Sequence, residues 1–503
     1  MFSKIKNSAL TILIIGAASS FAQATEYKAG ELIVKYKDSA TRTHQTMNAL
    51  YDAAGVRNVK RYSPLMGNME HVILSDNIKM QDAIAAFQHD PVVEFVHPNF
   101  IVRAFPTYHI EAGMPCIPGL QIPNCDPAGG APGGGGGGAG GCLIPGIPFP
   151  PGCDTNGNPG HPEEPGQPAS RPVVAATPAE VIPAVADADL AKAYGLAKIG
   201  ATEAWKTHRG SKKFIVADID TGIDYNHEDL SFNIWRNPNP SAKGDVVGYD
   251  FTHDDGLPFD DNGHGTHTAG TIGAVGGNGI GVSGVIQQVS IMSLKFLTGA
   301  GSGTTADAIK AIDYAVNHGA KVLSNSWGGY GDDNNKGLAE AITRARDKDV
   351  LFIAAAGNGD QFGSPVDNDG SNPSFPSSLN VDNIISVAAT DSGDNIAVFS
   401  NYGKTKVHLA APGVGVYSTI PKGANFGGEV QTGGALYYSL DGTSMACPHV
   451  AGAAALLWSA HPEMTYKQVK ATLMNSVDKV ASLEGKTITG GRLNILKALR
   501  SKE

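Results

Sequence analysis

The sequence predicts an α/β fold, in which a doubly wound parallel sheet carries helices on both faces, preceded by a small ferredoxin-like α+β domain. Three observations give this prediction. Over residues 187–503, short apolar runs alternate with helical patterns. Residues 25–105 have an order of their own, β-α-β-β-α-β. Residues 106–186 are rich in glycine and proline and lack a periodic apolar pattern, which predicts a linker.

The first 24 residues have the features of a secretory signal peptide. Lys4 and Lys6 give a positive start, an apolar core follows over 9–18, and Ala22-Gln23-Ala24 forms an A-x-A cleavage site. No later stretch approaches the ~18 consecutive apolar residues that a membrane-spanning helix needs. We therefore expect a secreted protein, extracellular or periplasmic, that has no membrane partner.

The small domain is built from short periodic segments. Two helical patterns alternate with runs in which every second residue is apolar. The predicted strands are 31–37, 56–63, 69–75 and 92–98, and the predicted helices are 43–55 and 78–90.

The large domain shows the same alternation on a larger scale. Its strands are short and apolar throughout, as expected when a parallel sheet is buried on both faces. The clearest strand runs are 214–219, 322–323, 350–355 and 384–388, and the clearest helices are 305–318 and a segment around Leu338, Ile342 and Ala345.

Charge and cysteine content narrow the function classes. The formal net charge is −10 and no Lys/Arg-rich cluster occurs, which argues against a nucleic-acid partner. Four of the five cysteines lie in the linker. Their short spacing favours bridges Cys116–Cys125 and Cys142–Cys153, with Cys447 free. The other two connectivities stay open, as does a Cys₄ zinc site, although no C-x₂-C pair is present.

Three segments place a reactive side chain beside glycine. IVADIDTGID ends a buried strand with Asp220, DDNGHGTHTAGT places His264 between glycines, and DGTSMACPHVAG places Ser444 before a long apolar helix. A serine hydroxyl becomes a good nucleophile when a base removes its proton, and histidine suits that exchange near neutral pH. A buried aspartate fixes the tautomer of such a histidine and stabilises its cation. Each segment alone is a weak signal.

Together, the three segments resemble the signature motifs of the subtilase family of serine endopeptidases, in that family's order Asp, His, Ser. The resemblance covers 187–503, including the terminal GGRLNILKAL, and residues 25–105 resemble the family's inhibitor-like propeptide. It implies a subtilisin-like fold and Asp220, His264 and Ser444 as the catalytic triad. It also implies protein and peptide substrates, and a propeptide that acts as intramolecular chaperone and inhibitor of a monomeric enzyme.

The resemblance extends to the parts of the site that bind substrate. LFIAAAGNGD looks like the family's oxyanion segment, with Asn358 as the side-chain donor. LTGAGSGTT and SNSWGG look like the two segments that hold an extended peptide between them by main-chain hydrogen bonds. The pocket segments SNSWGG and AAAGN carry no Asp or Glu that would pair with a basic side chain, so we expect a preference for large apolar residues on the acyl side of the cut. The implied substrate-binding residues are Gly301, Ser302, Gly303, Ser326, Trp327 and Gly328.

A calcium site is implied by GGNGIGV (276–282), which resembles the family's strong calcium loop. Carbonyls at alternate positions, one amide side chain and one carboxylate suit calcium better than zinc. An ordinary glycine-rich turn is the alternative. Asp187 or Asp189 is a weaker candidate for a further ligand, and DFTHDD (250–255) for a second site. The implied ligands are Asp229, Gly276, Asn278, Ile280 and Val282.

Other interpretations fit less well. An α/β-hydrolase esterase has G-x-S-x-G and the order Ser, Asp/Glu, His, whereas GTSMA ends in alanine and Ser444 comes last. HGTH lacks the spacing of a zinc-binding H-E-x-x-H. A binding module on this fold would most simply show a broken triad, and a kexin-like enzyme would need an additional C-terminal β domain. Cys447 could serve as a nucleophile, but the motif gives that role to Ser444. Asp218 departs from the family pattern, which usually has an apolar residue there, and it would share a strand face with Asp220.

Overall fold

The computed structural model describes residues 26–38, 43–62, 68–105, 171–175, 185–331, 335–360, 363–428 and 432–501. The predicted signal peptide, most of the predicted linker and the cysteines Cys116, Cys125, Cys142 and Cys153 lie outside these described residues. In the part that is described, no helix is long and apolar enough to cross a bilayer.

The small domain has the predicted ferredoxin-like order. Its four strands form an antiparallel sheet in the order β4-β1-β3-β2. Thr43 begins the first helix because its hydroxyl accepts from the N–H of Thr46, and Gly55 ends it in a left-handed conformation. The elements are β1 (Tyr27–Tyr36), α1 (His44–Ala54), β2 (Val56–Arg61), β3 (Met69–Leu74), α2 (Met80–His89) and β4 (Val93–Ala104).

The large domain contains fourteen further strands and eight further α-helices among the described residues. The strands are β5 (Gly210–Asp220), β6 (Gly248–Asp250), β7 (Gln288–Lys295), β8 (Ser302–Thr304), β9 (Val322–Asn325), β10 (Trp327–Tyr330), β11 (Leu351–Ala355), β12 (Ser374–Phe375), β13 (Ile384–Thr390), β14 (Leu409–Pro412), β15 (Val416–Thr419), β16 (Tyr437–Leu440), β17 (Asp478–Lys479) and β18 (Gly491–Arg492). The helices are α3 (Tyr194–Lys198), α4 (Ala201–Ala204), α5 (His264–Gly273), α6 (Thr305–Asn317), α7 (Lys336–Asp347), α8 (Thr443–Ala460), α9 (Tyr466–Asn475) and α10 (Ile495–Arg500).

A nine-stranded sheet in the order β17-β18-β14-β13-β11-β9-β5-β7-β6 forms the centre of the large domain. It is parallel except at the β17–β18 edge. Successive residues of β5 enter opposite layers: Val216 packs with the core under α8, and Ala217 with the core under α6 and α7. Both faces are therefore covered, as the doubly wound prediction requires. By the same alternation Asp218 and Asp220 point toward the layer of α5 and α8.

The two domains meet through one strand. β4 lies between β8 and β10 and pairs antiparallel with both, opposite residues 302–304 on one side and 327–328 on the other. β4 is longer than the predicted strand 92–98. Its last residues alternate weakly, and their partners come from the large domain, so sequence periodicity did not mark them.

A short piece of the predicted linker is bound to the large domain. The Arg171 guanidinium donates to the Asp250 carboxylate (2.7 Å), the Leu257 carbonyl (3.0 Å) and both oxygens of Asp255. Asn226 holds the following backbone at the Val173 carbonyl (2.9 Å) and the Ala175 N–H (2.8 Å). DFTHDD, a weak candidate for a second calcium site, thus has an arginine as its cationic partner.

Candidate active site

Asp220 is the last residue of β5, and its side chain is 1% exposed. One carboxylate oxygen, Oδ1, accepts from the Thr221 N–H at 2.7 Å and from Nδ1 of His264 at 2.7 Å. Two short donors on a buried oxygen favour the ionised carboxylate. The aspartate is therefore a fixed negative charge at the carboxyl end of the sheet.

His264 is the first residue of α5 and is also buried. Because Nδ1 donates to Asp220, Nε2 is the basic nitrogen of the neutral ring. Nε2 has no hydrogen-bond partner among the described residues. Burial disfavours the imidazolium, but the Asp220 charge and hydrogen bond outweigh it, so the pKa of His264 is raised. The ring can act as a base through Nε2.

Ser444 is the second residue of α8. Its hydroxyl donates to the carbonyl of Ser326 at 3.0 Å, and the Ser326 hydroxyl donates to the Ser444 carbonyl at 2.9 Å. Asp220 and His264 are thus hydrogen-bonded to each other. The Ser444 hydroxyl, in contrast, must break its hydrogen bond to the Ser326 carbonyl before it can donate to His264. Hydrogen bonds of this kind often form only when substrate is in place.

Asn358 is held in one orientation by its own carbonyl. Oδ1 accepts from the Thr443 N–H at 2.9 Å and from the Thr443 hydroxyl at 2.7 Å, so Nδ2 points away from α8. Nδ2 donates to the backbone carbonyl of Phe105 at 3.3 Å. The N–H groups of the first turn of α8 lack acceptors within the helix, which makes the Ser444 N–H a second available donor.

The two segments predicted to hold substrate hold β4 instead. Val102 lies opposite Gly303, Arg103 opposite both Ser302 and Gly328, and Ala104 opposite Trp327. The Ala104 N–H also donates to the Gly301 carbonyl at 2.9 Å. A Cβ on Gly303 would overlap the Phe296 carbonyl, and one on Gly328 would meet the Phe375 carbonyl. At both positions a side chain would therefore clash with a carbonyl of the large domain itself, so glycine lets these two wall segments pack against the enzyme's own backbone.

Phe105 follows β4 and ends at the reactive centre. Its side chain is 7% exposed, and its ring centroid lies 6.4 Å from that of Tyr330. Its carbonyl is the one that Asn358 contacts. The small domain therefore presents an extended peptide whose aromatic residue is buried and whose carbonyl lies beside a hydrogen-bond donor.

Comparisons with known proteins agree with this geometry. The model of the "Subtilase family" matches residues 211–490, and that of the "Fervidolysin N-terminal prodomain" matches residues 16–99. The chain belongs to the subtilase family. It is 38% identical to thermitase of Thermoactinomyces vulgaris over 307 residues, which are 61% of this chain and 95% of that protein. It is 37% identical to subtilisin DY of Bacillus licheniformis over 261 residues, which are 52% of this chain and 82% of that protein.

A solved structure shares the fold of almost the whole chain. Fervidolysin from Fervidobacterium pennivorans, described as a keratinolytic enzyme related to subtilisin, aligns with a TM-score of 0.65 over 95% of this chain and 62% of that one, at 23% identity. The comparisons together identify a subtilisin-like serine endopeptidase with an N-terminal propeptide, which acts on proteins and is inhibited by that propeptide.

The predicted calcium loop of this subtilase lies against Asp229 and Asp187. Asp229 accepts from the Asn278 amide at 2.7 Å and from the Val282 N–H at 2.9 Å. Asp187 accepts from the N–H groups of Gly277 and Asn278. Burial is the main cause that raises the pKa of Asp229 to about 7, and Asp187 adds to it. Burial also raises the pKa of Asp187.

The loop carbonyls divide into two sets. Those of Gly277 and Gly281 accept from the N–H groups of Val185 and Asp189, residues of the segment that precedes the large domain. Those of Gly276, Asn278, Gly279, Ile280 and Val282 have no hydrogen-bond donor within the described ranges. The carbonyls that the family resemblance names are therefore among those left without a protein partner, next to two buried carboxyl groups, and this arrangement fits a hard cation.

Other reactive groups have structural surroundings. His267 Nε2 bonds to the Val416 carbonyl at 2.9 Å, and burial lowers the pKa of His267 to about 3. Cys447 is a buried free thiol, and burial raises its pKa to about 12. No group of three His, Cys, Asp or Glu side chains could hold a metal ion in the described part of the chain.

Sequence analysis missed several residues that shape this site. Thr443 orients Asn358, Phe105 fills the cleft, and Arg171 fixes the end of the linker. The only available signal was the position of Phe105 at the end of the propeptide-like domain. The contacts of Thr443 and Arg171 join segments that are more than 75 residues apart.

Proposed function

We propose that this chain is a secreted subtilase whose catalytic triad is Asp220, His264 and Ser444 and whose side-chain oxyanion donor is Asn358. The observation that carries the proposal is the placement of the Phe105 carbonyl, which lies 3.3 Å from Asn358 Nδ2 at the end of a strand paired with both cleft walls. The 2.7 Å hydrogen bond between Asp220 and His264 supports the assignment of His264 as the general base.

The proposed reaction passes through an acyl-enzyme. His264 Nε2 takes the proton of the Ser444 hydroxyl as Oγ attacks the peptide carbonyl. The new negative charge on oxygen is stabilised by Asn358 Nδ2 and the Ser444 N–H. His264 then gives its proton to the leaving amine, and the acyl group stays on Ser444. A water molecule activated by the same ring releases the acid.

The substrate preference follows from the way in which β4 is bound. Main-chain hydrogen bonds make few demands on sequence, so the buried side chains of Val102, Ala104 and Phe105 set the selectivity, and the two larger ones contribute most. Phe105 lies 7% exposed and Val102 is fully buried, while Arg103 is exposed. We propose a broad specificity with a preference for a large apolar residue on the acyl side of the cut, aided by an apolar residue three positions earlier.

Ser444→Ala in the full-length chain tests the catalytic assignment. The variant should lose peptidase activity and leave the 25–105 propeptide uncleaved when it is made in a protease-free host. Ser459→Ala, on the same helix but at its far end, is the matched control and should mature normally. A mature-sized product from Ser444→Ala would reject self-processing. Absence of Ser444 labelling by an organophosphonate in the wild-type enzyme would reject the nucleophile.

Further parts of the proposal concern processing and export. We propose residues 1–24 as signal peptide, 25–105 as propeptide, 106–186 as linker and 187–503 as catalytic domain, in a monomeric extracellular or periplasmic enzyme. The pairing Cys116–Cys125 and Cys142–Cys153 is retained as part of it. Binding of the segment from Arg171 to the large domain supports retention of the end of the linker in the mature enzyme.

We also propose one structural calcium ion at the 276–282 loop. Asp229, the Asn278 side chain and the carbonyls of Gly276, Ile280 and Val282 would hold it, and Asp187 lies next to them. The unpartnered alternate carbonyls and the two buried carboxyl groups support this assignment. Calcium at this place would stabilise the fold and take no part in peptide hydrolysis.

A further inference from the structure

Asp218 is a buried carboxyl group for which the proposed mechanism has no use. It is 1% exposed and lies two residues before Asp220 on β5, so both side chains point to the layer of α5 and α8. Ser293 of β7 and Ser324 of β9 are its register partners in the neighbouring strands. An isolated carboxylate in such a place would be very costly.

The hydrogen bonds around Thr268 indicate whether the carboxyl group of Asp218 carries a proton. Thr268 Oγ1 lies 2.9 Å from Asp218 Oδ2 and 2.9 Å from the carbonyl of Gly265. A threonine hydroxyl has one proton and two lone pairs. If that proton goes to Gly265, which can only accept, the Asp218 side of Thr268 must receive a proton. A protonated Asp218 supplies it, and both contacts are then hydrogen bonds.

A comparison with Asp220 supports the same assignment. Asp220 has two N–H donors at 2.7 Å, whereas Oδ2 of Asp218 meets the Thr268 hydroxyl at 2.9 Å and its Oδ1 has no hydrogen-bond partner among the described residues. The nearest candidate cation by register is Lys295, opposite Asp220 in β7. Its ammonium group instead donates to Asp261 and to the carbonyls of Thr221 and Leu297. Of two neighbouring buried carboxyls, the one with the stronger donors ionises.

We propose that Asp218 is a neutral carboxylic acid that donates its proton to Thr268 and so positions the first turn of α5, which carries His264. The chain of contacts runs from Asp218 to the Thr268 hydroxyl and on to the Gly265 carbonyl, next to His264. Asp218 is a positioning residue, since it does not touch the reacting atoms. The inference rests on the proposed roles of Asp220 and His264.

The titratable groups around Asp218 favour its neutral form. Asp220 on the same strand and Asp260 from the loop before α5 are acidic, Cys447 of α8 is a thiol, and His264 is one turn from Thr268 on α5. Burial is the main cause that raises the pKa of Asp218, and the charges of Asp220 and Asp260 raise it further, while the hydroxyls of Thr268 and Ser324 lower it. The net pKa lies well above that of an ordinary aspartate.

Asp218→Asn is the decisive variant because an amide can donate to Thr268 without ever carrying a charge. If Asp218 is neutral, the acid limb of kcat/KM, which reports His264, stays in place and kcat remains within about threefold of wild type. If Asp218 is charged, the variant removes a negative charge near His264 and the acid limb moves down by about 1 pH unit. That movement would overturn the proposal.

Asp218→Val removes the donor and should lower kcat about tenfold, with KM within twofold, as expected for one lost hydrogen bond that orients a catalytic group. Thr268→Val should have the same effect, and the double variant should be no worse than either single variant. Independent, additive losses would show that Asp218 does not act through Thr268.

Two further experiments distinguish a failure of this proposal from a failure of the proposed catalytic triad. If Asp218→Asn does not fold, carbon-13 NMR of aspartate-labelled, full-length Ser444→Ala chain decides it: one carboxyl signal should keep the shift of a protonated acid at pH 8. Absence of such a signal would overturn the proposal while leaving the triad assignment intact. Failure of Ser444 labelling would reject the triad without bearing on the proton of Asp218.

Discussion

We expect the affinity of the propeptide for the enzyme to depend on pH through His97. The ring lies between Phe95 and Phe100, at centroid distances of 5.7 and 5.4 Å, and is buried against the large domain. Nδ1 donates to the Pro98 carbonyl at 2.8 Å, which leaves Nε2 to accept from the Gly337 N–H at 3.0 Å. Gly337 is in the first turn of α7, so a neutral imidazole of the propeptide caps a helix of the enzyme.

Protonation of His97 would place a new N–H against that helix terminus, where positive charge is also disfavoured. Burial is the main cause that lowers the pKa of His97 from 6.5 to about 4, and Lys336 adds to it. Because the pKa of His97 is lowered in the complex, its contribution to the stability of the complex is fully present above pH 6.5. That contribution is lost as the pH falls from 6.5 toward 4. The whole interval corresponds to about 3.4 kcal/mol, or up to about 300-fold in affinity.

The assay is the inhibition constant of a separately added 25–105 propeptide on the mature enzyme between pH 5 and 7.5, normalised to the activity at each pH. We expect the constant to rise about tenfold per pH unit below 6.5. His97→Gln is the matched control, because an amide oxygen can accept from Gly337 but does not titrate in this range. The same slope in His97→Gln, or no slope in the wild type, would refute the role of His97.

Three further predictions concern stability and inhibition. Arg171→Ala leaves the fully buried carboxylate of Asp250 without its guanidinium and should cost about 3 kcal/mol of unfolding free energy, measured as faster thermal inactivation of the full-length chain. As a control, Lys213→Ala removes an exposed charge and should change the free energy of unfolding by no more than about 0.5 kcal/mol. Equal losses of stability in the two variants would contradict the argument. EDTA, or Asp229→Ala, should remove about 2.7 kcal/mol at a calcium concentration a hundredfold above Kd, with little change in the activity of surviving molecules; an identical melting curve in EDTA would exclude the ion. Phe105→Glu should weaken propeptide inhibition at neutral pH by more than about 100-fold because it buries a charge in an apolar pocket, and an unchanged inhibition constant would show that the pocket does not bind this side chain.

The sequence predicted what local patterns determine and missed what distant pairing determines. The strand at 350–355 and the helix at 305–318 lie close to their predicted bounds, because buried runs and amphipathic periods are local signals. The end of β4 was missed because its partners are the cleft strands of another domain. The family resemblance named Asn358 as the oxyanion donor, which stays a prediction, but the threonine that orients it became visible only when α8 and the segment after β11 were placed together.

The position of β4 links inhibition by the propeptide to substrate selection, because both would depend on the same cleft walls. β4 pairs with both cleft walls through its main chain, and we expect a substrate to add a strand at the same place. If a substrate uses the same main-chain contacts as β4, a change in either wall should affect the binding of both. We expect the pockets around the buried side chains of Val102, Ala104 and Phe105 to distinguish one peptide from another. The propeptide's own final residues are therefore the best guide to the substrates that the mature enzyme prefers, and a peptide series built on the 101–105 sequence should rank in the same order as propeptide variants with the same substitutions.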